Sequence, residues 1–311
     1  MKKIKNFLKG LIYKPLPLSI ANKYIGSKRL ENILRLRLEQ QSFQLMSYEY
    51  SRNLINDLKK DQPLNPAIHG SKYYSQFDED GIIEEIISRF EQVAPKTFLE
   101  IGVGGGLEIE NNTTYLLLKG FTGYWIDSSK SNVETICQTF KHQIASQQLK
   151  VLNEFITEAS ISTLPISALS SAIFSLDIDS FDLDILRHLL NNQHFTPSLI
   201  VVEYNAQFGP VASVSVNTDL ADHKFKDSYF GASLMAFASL LFDNNYILIC
   251  CGLSGANAYF IKRSLLNSNF DDMFVDNLPK RVAYLFQPPR YFLAFGLRSG
   301  LFPSFGDFKN V

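Results

Sequence analysis

The 311-residue sequence predicts an α/β fold with an open, seven-stranded and mostly parallel sheet that follows a helical arm. Three observations support this prediction. Short apolar and β-branched runs alternate with helical stretches after residue 70, which is the pattern of βαβ units. Three alternate glycines, Gly102, Gly104 and Gly106, follow the first run, where a strand must stop and its backbone must admit a bulky ligand. Only 252–255 separate the last two runs, too few residues for a parallel crossover, so the final strand should be antiparallel.

Residues 1–70 are predicted to form a basic helical arm and a linker ahead of a domain over 71–311. The first 60 residues hold about 13 Lys and Arg against about 4 Asp and Glu, whereas the remainder is acidic. Apolar residues at helical spacing over 4–12 predict an amphipathic helix that lies on an anionic membrane surface or docks on protein. A helical pattern over 27–60 predicts one or two helices that serve as an arm for homo-oligomerisation, and the prolines that follow predict the linker.

Hydrophobic periodicity and turn residues predict seven strands and five helices within the domain. The strands are expected at 97–103, 123–127, 149–155, 172–177, 199–204, 246–251 and 256–262. The helices are expected near 80–91, 112–119, 130–142, 183–191 and 233–243. Because helices separate most of these strands, the strands before the final pair should run parallel.

Composition narrows the classes of function. Three cysteines, Cys137, Cys250 and Cys251, are too few for a disulfide framework or a zinc cluster and indicate a reducing compartment. No run reaches the roughly 18 apolar residues of a membrane span. The protein is therefore expected to be cytoplasmic, with peripheral contact to the inner face of the membrane through its basic helix. The acidic domain argues against a nucleic-acid partner.

The glycine-rich turn separates two kinds of nucleotide-like ligand. Residues 100–106 read acid-x-Gly-x-Gly-x-Gly, whereas the dinucleotide pattern Gly-x-Gly-x-x-Gly is completed neither from Gly102, where Leu107 follows, nor from Gly104. Asp127 ends the next predicted strand, and ligands of open α/β sheets bind beyond the carboxyl ends of strands. The pattern therefore favours an adenosyl ligand, with Asp127 accepting hydrogen bonds from ribose hydroxyls.

Five blocks of the sequence carry a family resemblance. They are YSQFDEDGI at 74–82, EIGVG at 100–104, SLDID at 175–179, VEYN at 202–205 and GANAYF at 255–260. In this order they resemble the successive blocks of FkbM-type S-adenosylmethionine-dependent methyltransferases, over roughly 73–266. The resemblance implies a Rossmann-like class I methyltransferase fold with an antiparallel last strand. It also implies methyl transfer, usually to oxygen, in glycan or natural-product biosynthesis.

The resemblance further implies roles for individual residues of the cofactor site. Those implied to contact S-adenosylmethionine are Gln76 and Glu100 at the methionyl part, with Gly102, Gly104 and Gly106, then Asp127 at the ribose, Glu154 at the adenine and Asp177 near the sulfonium. For Glu154 the alternative is an ordinary solvated carboxylate.

Acids past two neighbouring strands suggest how an acceptor is activated. Asp177, Glu203 and Asn205 offer oxygen ligands that suit Mg²⁺, which would bind a substrate hydroxyl and lower its pKa. The neighbouring Asp179 and Asp182 belong to the same cluster in sequence. The alternative is that Asp182 caps the following helix, Asp179 is solvated, and Glu203 acts alone as a general base.

A histidine in a long loop is the other candidate for proton transfer. His223 lies in the stretch 205–229, which is long for a compact domain and is predicted to act as a lid over the acceptor. His188, in a predicted helix, is expected to be structural. Asp177, Glu203 and His223 are thus the predicted catalytic residues.

The sequence as a whole predicts an S-adenosylmethionine-dependent O-methyltransferase acting on a small-molecule or glycan acceptor. The sugar part of this prediction comes only from the family resemblance. Two alternatives stay open. One is a Rossmann-like NAD(P)-dependent oxidoreductase, which the incomplete glycine pattern disfavours. The other is a non-catalytic cofactor-binding protein that recruits partners through its basic arm.

Overall fold

A computed structural model describes residues 28–91, 95–104, 111–216 and 230–295. Its seven strands are β1 (Thr97–Ile101), β2 (Thr122–Asp127), β3 (Leu149–Asn153), β4 (Ile173–Leu176), β5 (Leu199–Glu203), β6 (Tyr246–Cys251) and β7 (Asn257–Lys262). They form one sheet in the order β3-β2-β1-β4-β5-β7-β6. The seven predicted strands are confirmed, each within two residues of the expected bounds.

The direction of β7 distinguishes this sheet from a fully parallel one. β1 pairs in parallel with β2 and β4, and parallel pairing continues to β3 on one side and β5 on the other. β7 lies between β5 and β6 and is antiparallel to both, which confirms the predicted final hairpin. The insertion places Asn257 directly opposite Glu203 at the carboxyl end of β5.

The helices of the described residues pack around this sheet. They are α1 (Lys28–Asp61), α2 (Glu79–Ser88), α3 (Thr114–Leu118), α4 (Lys130–Thr139), α5 (Lys141–Ala145), α6 (Glu158–Ile161), α7 (Ile166–Leu169), α8 (Asp182–Leu190), α9 (Leu234–Asp243) and α10 (Leu278–Leu285). The helix predicted at 130–142 is divided at Phe140, whose buried ring packs edge-on against Trp125 at a centroid distance of 4.8 Å. Helices α6, α7 and α10 were not predicted, because such short helices show little periodicity.

Two apolar layers cover the two faces of the sheet. Leu99 and Phe174 belong to one layer, and Phe98 and Trp125 belong to the other. Successive residues of β1 thus point to opposite layers, as the pleat of a strand requires. With both faces covered, the carboxyl ends of the strands form the edge at which polar side chains gather.

Helix α1 is one continuous helix that contacts the domain near Tyr50, whose ring lies 5.6 Å from that of Phe292. Phe292 belongs to a short 3-10 helix, Tyr291–Phe295. Within the predicted linker, 66–68 are buried. The amphipathic helix predicted at 4–12 lies outside the described residues. Among the helices that the structure describes, none is long and apolar enough to cross a membrane.

Candidate functional site

A cleft of about 270 Å³ opens where the strand order reverses, beyond the carboxyl ends of β1, β2 and β4. In an open α/β sheet this switch point is where ligands bind. The residues that line it are Ile101, Gly102 and Gly104, then Ile126, Asp127, Ser128, Ser129 and Asn132, then Glu154, Phe155 and Ile156, and finally Asp177, Ile178, Asp179, Ser180 and Phe181. A larger cavity of about 520 Å³ opens at the amino ends of β5 and β6, and none of the predicted site residues lines it.

The two described glycines of the turn have different physical reasons to be glycine. Gly102 has a φ of 87°, and a Cβ added to it would lie 1.5 Å from the backbone oxygen of Asp177. Its bare backbone is therefore required by the close approach of β1 and β4. Gly104 has a φ of 62° and no atom within 4 Å of such a Cβ, so it faces open space in the cleft. Gly106 lies outside the described residues.

Asp127 joins the ends of β1 and β2 at the wall of the cleft. Its side chain is 8% exposed, and Oδ2 accepts a hydrogen bond from the Gly104 N–H at 2.9 Å. Oδ1 accepts from the Ser129 N–H at 2.7 Å and from Asn132 Nδ2 at 3.2 Å. These bonds fix the carboxylate at the position where the sequence predicted a ribose contact.

The third strand contributes a polar and an aromatic side chain to the same wall. Glu154 follows β3 directly, is exposed and donates its N–H to the Asp127 backbone oxygen at 3.1 Å. Phe155, next along the chain, is 67% exposed and also lines the cleft. Phe155 was not predicted as a site residue, because the sequence pattern extends the third strand to residue 155. The sequence feature that could have indicated Phe155 is its place directly after Glu154, an acid at a strand end.

Two of the predicted cofactor residues do not line the cleft. The Glu100 carboxylate is buried and accepts hydrogen bonds from the Asn112 N–H at 2.6 Å, the Thr113 N–H at 3.2 Å and Thr113 Oγ1 at 2.5 Å. Burial raises the pKa of Glu100 to about 7. Gln76 is half-buried, and its backbone oxygen accepts from Lys72 Nζ. Glu100 thus ties β1 to the segment before α3.

One end of the cleft gathers acidic side chains from two strands. Carboxylate oxygens of Asp177, Asp179 and Glu203 lie within 4.8 Å of one another. Asp179 is exposed and has a φ of 56°, a left-handed conformation that aspartate adopts more readily than most residues. Buried Asp182 holds this turn, because its carboxylate accepts from the N–H groups on either side of Asp179 at 2.9 and 3.0 Å. Burial raises the pKa of Asp182 to about 6.

Asn205, one of the predicted metal ligands, has both groups of its side-chain amide engaged within the protein. Asn205 is fully buried; its Oδ1 accepts from the Gln207 N–H at 3.2 Å and its Nδ2 donates to the Phe230 backbone oxygen at 3.1 Å. Its amide therefore organises the loop after β5, and the three carboxylates that lie together are those of Asp177, Asp179 and Glu203. The predicted base His223 lies outside the described residues.

Tyr291 is an additional polar neighbour of this cluster. Burial raises the pKa of Tyr291 to about 12, and the negative charge of Glu203 adds to the shift. The ring of Phe77 lies 6.3 Å from that of Tyr291. In the sequence Tyr291 was only one of many aromatic residues near the C-terminus.

The strand order and the antiparallel β7 are those of the Rossmann-like class I methyltransferase fold. No protein-family model and no curated protein matches the chain. Among solved structures, it is similar to magnesium protoporphyrin IX methyltransferase (ChlM) from Synechocystis PCC 6803 with bound SAH, at 12% identity and a TM-score of 0.36. The match covers 79% of this chain and 100% of that chain.

Two further solved structures are similar at the same distance. One is the O-methyltransferase NcsB1 from neocarzinostatin biosynthesis, in complex with SAH and 1,4-dihydroxy-2-naphthoic acid, at 14% identity and a TM-score of 0.36; the match covers 72% of this chain and 60% of that chain. The other is an S-adenosylmethionine-dependent methyltransferase from Clostridium acetobutylicum ATCC 824, at 14% identity and a TM-score of 0.36. That match covers 59% of this chain and 90% of the other. The likeness is distant, and the fold is assigned from the strand order.

Proposed function

We propose that the chain is an S-adenosylmethionine-dependent methyltransferase that methylates an oxygen of a hydroxylated acceptor. The observation that carries this proposal is the cleft at the switch point, which combines the open turn at Gly104, the strand-ending Asp127 and a carboxylate cluster at one end. The fold supports it, because a sheet with this strand order is what the resemblance to FkbM-type enzymes implies. The glycan class of acceptor comes from that resemblance alone.

Three residues of the cleft fit an adenosyl group. Asp127 presents carboxylate oxygens that can accept hydrogen bonds from ribose hydroxyls. The exposed ring of Phe155 offers an apolar face for a purine. Glu154, beside it, offers an acceptor for the purine amino group. These three residues would contact the ribose and the purine along the β2 and β3 side of the cleft. The acidic end is then left for the methyl group and the acceptor.

The acidic end fits the removal of one proton from an acceptor hydroxyl. S-adenosylmethionine supplies an electrophilic methyl group when it is bound. The chain then has to align the acceptor oxygen and accept its proton, which requires proximity and one base. Glu203 is our proposed base, with Asp177 and Asp179 beside it.

The same carboxylates form a candidate Mg²⁺ site. Asp177, Asp179 and Glu203 offer three oxygen ligands to a hard cation. Although Asp179 is exposed, nearby protein atoms desolvate its carboxyl group and raise its pKa, a cost that a bound cation would remove. If the metal is used, chelation should abolish turnover and added Mg²⁺ should restore it. Turnover that is indifferent to chelator would favour Glu203 acting as a base without metal.

Calorimetry with the full-length protein tests the cofactor directly. S-adenosylhomocysteine should bind with a stoichiometry of about one, and NAD⁺ should not bind. Binding of NAD⁺ without any binding of S-adenosylhomocysteine would overturn the proposal in favour of the oxidoreductase alternative. Asp184→Asn serves as a control for the loss of an acid outside the cleft, since Asp184 pairs with Arg187 on α8. This variant should bind S-adenosylhomocysteine as wild type does.

Transfer of a labelled methyl group tests the reaction itself. Hydroxylated aromatics, free sugars and glycan precursors are offered as separate acceptor classes with and without Mg²⁺. Label should appear in one class, and Glu203→Gln should lower its rate by about a hundredfold or more, which is within the range for loss of a general base. Tight cofactor binding without transfer to any class would favour the non-catalytic alternative.

We also propose that α1 mediates self-association. Large apolar side chains on this helix are exposed, among them Leu38, Leu45 and Met46. A second copy of the helix would cover them. Light scattering should show an oligomer that Leu45→Glu converts to a monomer. A monomeric wild-type protein that binds anionic vesicles would instead favour the peripheral membrane role predicted for the basic arm.

A further inference from the structure

The cavity at the amino ends of β5 and β6 has a positively charged wall. Its volume of about 520 Å³ is within the range of sites that hold small molecules. Lys262 and Arg263 line it, and none of the described residues that line it is acidic. The chain after residue 60 holds more acids than bases, so a wall with two cations and no acid stands out from the rest of the domain. Such a wall suits an anionic ligand.

The antiparallel pairing of β7 places Lys262 beside two aromatic side chains. Lys262 lies directly opposite Tyr246, and residues that face each other in an antiparallel pair share one face of the sheet. The Lys262 N–H donates to the Ser198 backbone oxygen at 3.2 Å, just before β5 begins. Tyr246 and Phe195 are buried in one apolar layer of the sheet and also line the cavity. A ligand in the cavity would therefore meet an ammonium group next to aromatic surface.

The ammonium group of Lys262 is not engaged by the protein. Its side chain is half-buried, and within the described part of the chain it takes part in no hydrogen bond, ion pair or ring contact. Burial lowers the pKa of Lys262, and no acid offsets that shift. A half-buried charge without a counter-ion is unfavourable, and an anion bound beside it would remove that cost.

Arg263 is held at the same wall by its backbone and its side chain. Its N–H donates to the Asn245 backbone oxygen at 2.8 Å, and its guanidinium lies 5.2 Å from the centroid of the Phe242 ring. Its Nη1 also pairs at 2.8 Å with Asp276, whose side chain is 87% exposed and does not line the cavity. An ion pair so open to solvent contributes little, so an anion in the cavity can compete with Asp276 for the guanidinium.

Neutral polar side chains add hydrogen-bonding groups to this wall. Thr196, Asn245 and Ser264 are exposed and line the cavity, and none of their side chains has a hydrogen-bond partner among the described residues. Asn244 differs, because its Nδ2 donates to the Leu240 backbone oxygen at 2.8 Å. Hydroxyl and amide groups can donate to the oxygens of an anion. The cavity thus combines two cations with three further groups that can donate.

We propose that this cavity binds a phosphate monoester, with the phosphate at Lys262 and Arg263 and the rest of the molecule against Phe195 and Tyr246. A phosphate monoester carries close to two negative charges at neutral pH, which match the two cations. The cavity is far larger than a phosphate group alone, so the ligand has a second part. The hydroxyl of Tyr246 already donates to the Pro197 backbone oxygen at 2.8 Å, so this residue offers its ring, which suits a flat or apolar group.

This site is separate from the cleft. Ser198, beside Lys262, and Glu203, in the acid cluster, lie at opposite ends of β5, about 17 Å apart at the rise of a strand. Of the described residues, none lines both cavities. A small acceptor in the cleft would not reach Lys262. The phosphate monoester is therefore a second ligand, and the inference does not depend on methyl transfer.

Calorimetry of the full-length protein, without methyl donor, tests this site with phenyl phosphate, inorganic phosphate and phenol as probes. Phenyl phosphate should bind once per chain and at least about fivefold more tightly than inorganic phosphate, because its ring adds apolar contact. Phenol should bind at least about tenfold more weakly than phenyl phosphate, because it lacks the charge. Phenyl phosphate at a hundredfold excess over its dissociation constant should raise Tm by about 4 °C.

Lys262→Met removes the charge, keeps most of the side chain and should weaken phenyl phosphate binding at least about tenfold. Without ligand this variant should unfold at the wild-type temperature or above it, because an unpaired, half-buried charge is lost. Lys141→Met is the matched control, since Lys141 is an exposed lysine on α5 that does not line the cavity. The control should bind phenyl phosphate as wild type does.

Asn245→Asp tests the same wall by adding a negative charge. Asn245 has a φ of 63°, a left-handed conformation that aspartate also adopts, so the unliganded Tm should stay close to that of wild type. The new charge should weaken phenyl phosphate binding at least about fivefold. The proposal is overturned if wild type does not bind phenyl phosphate, or if both cavity variants bind it as wild type does. An equal loss in Lys141→Met would also overturn it, by showing attraction to surface charge alone.

Discussion

The cleft and the N-terminus of α2 both gather acidic side chains, yet they place the carboxylates in opposite environments. In the cleft, Asp179 is exposed and Asp127 lines the cavity wall. At α2, Asp78 and Asp80 are buried, and one carboxylate oxygen of each accepts backbone hydrogen bonds. An acidic pattern in a sequence therefore does not by itself separate a binding role from a structural one. The distinction comes from position at a cavity wall, because Asp127 is itself 8% exposed and accepts three hydrogen bonds.

The two acids flanking the glycine turn repeat this contrast within one motif. Glu100 precedes the turn and is used entirely inside the protein, where it holds Asn112 and Thr113. Asp127, on the neighbouring strand, stays at the wall of the cleft. Substitutions at these and neighbouring positions test whether each residue acts in the fold or in ligand binding.

Gly102→Ala should have the largest effect, and Gly104→Ala is its matched control. At Gly102 the new Cβ would lie 1.5 Å from the Asp177 backbone oxygen, so we expect unfolding or a loss above about 4 kcal/mol. At Gly104 only the left-handed φ is strained, at about 1 to 2 kcal/mol. Urea unfolding measures both. Equal losses would contradict the assignment of Gly102 to sheet packing and Gly104 to the cleft.

Glu100→Ala should destabilise the protein by about 3 kcal/mol, because it leaves buried donors of Asn112 and Thr113 without an acceptor. Glu100→Gln keeps the shape and should lose less. The free energy of unfolding is the measurement. Near wild-type stability combined with loss of S-adenosylhomocysteine binding would instead return Glu100 to the cofactor site.

The pH dependence of stability should report the buried acids. The pKa of Glu100 is raised from 4.5 to about 7, so the folded state binds more protons than the unfolded state between these values. Its contribution is therefore most favourable below pH 4.5 and is lost as pH rises to 7, by on the order of 2 kcal/mol. The slope of unfolding free energy against pH should be smaller in Glu100→Gln. Parallel slopes for the two proteins would show that Glu100 does not titrate in this window.

Asp127→Ala should act mainly on the cofactor. Loss of charged hydrogen bonds to the ribose should raise the dissociation constant of S-adenosylhomocysteine at least about tenfold. Asp127→Asn keeps part of the turn to Gly104 and separates that structural bond from the ligand contact. Calorimetry measures the affinity and thermal unfolding checks the fold. An unchanged affinity would remove Asp127 from the ribose site.

Phe155→Ala should have the smallest effect, because the ring is mostly exposed and little stability depends on it. Loss of stacking on the purine should weaken cofactor binding about fivefold, or about 1 kcal/mol. Phe155→Tyr retains the aromatic face and should bind nearly as well as wild type. Competition with adenosine separates an adenine contact from one to the methionyl part.

Strands and their directions were predictable because they depend on local information. Alternating runs of apolar and helical residues placed all seven strands, and the short connection before residue 256 required β7 to be antiparallel. The edge of the sheet that carries the cleft followed from the fold, since Asp127 and Asp177 end parallel neighbours of β1. Short helices such as α6 and α7 lacked enough residues to show a period.

The roles of individual acids could not be predicted, because burial and hydrogen bonding join residues far apart in the chain. The left-handed turn that presents Asp179 is held by hydrogen bonds to the buried Asp182 carboxylate. The side-chain amide of Asn205, a predicted ligand, bonds to Gln207 and Phe230, which lie outside its strand. No spacing pattern records either arrangement.

By itself, the sequence determined the order of elements, the antiparallel end of the sheet and the glycine turn, because periodicity and backbone geometry act over a few residues. Only the tertiary structure decided that Gly102 lies against the Asp177 backbone, that the Glu100 carboxylate bonds to Asn112 and Thr113, and that Asp78 and Asp80 are buried. The physical reason is that the state of a carboxylate depends on the solvent and partners around it. For the buried acids of α2, part of that environment is supplied by β7, which lies almost 180 residues further along the chain.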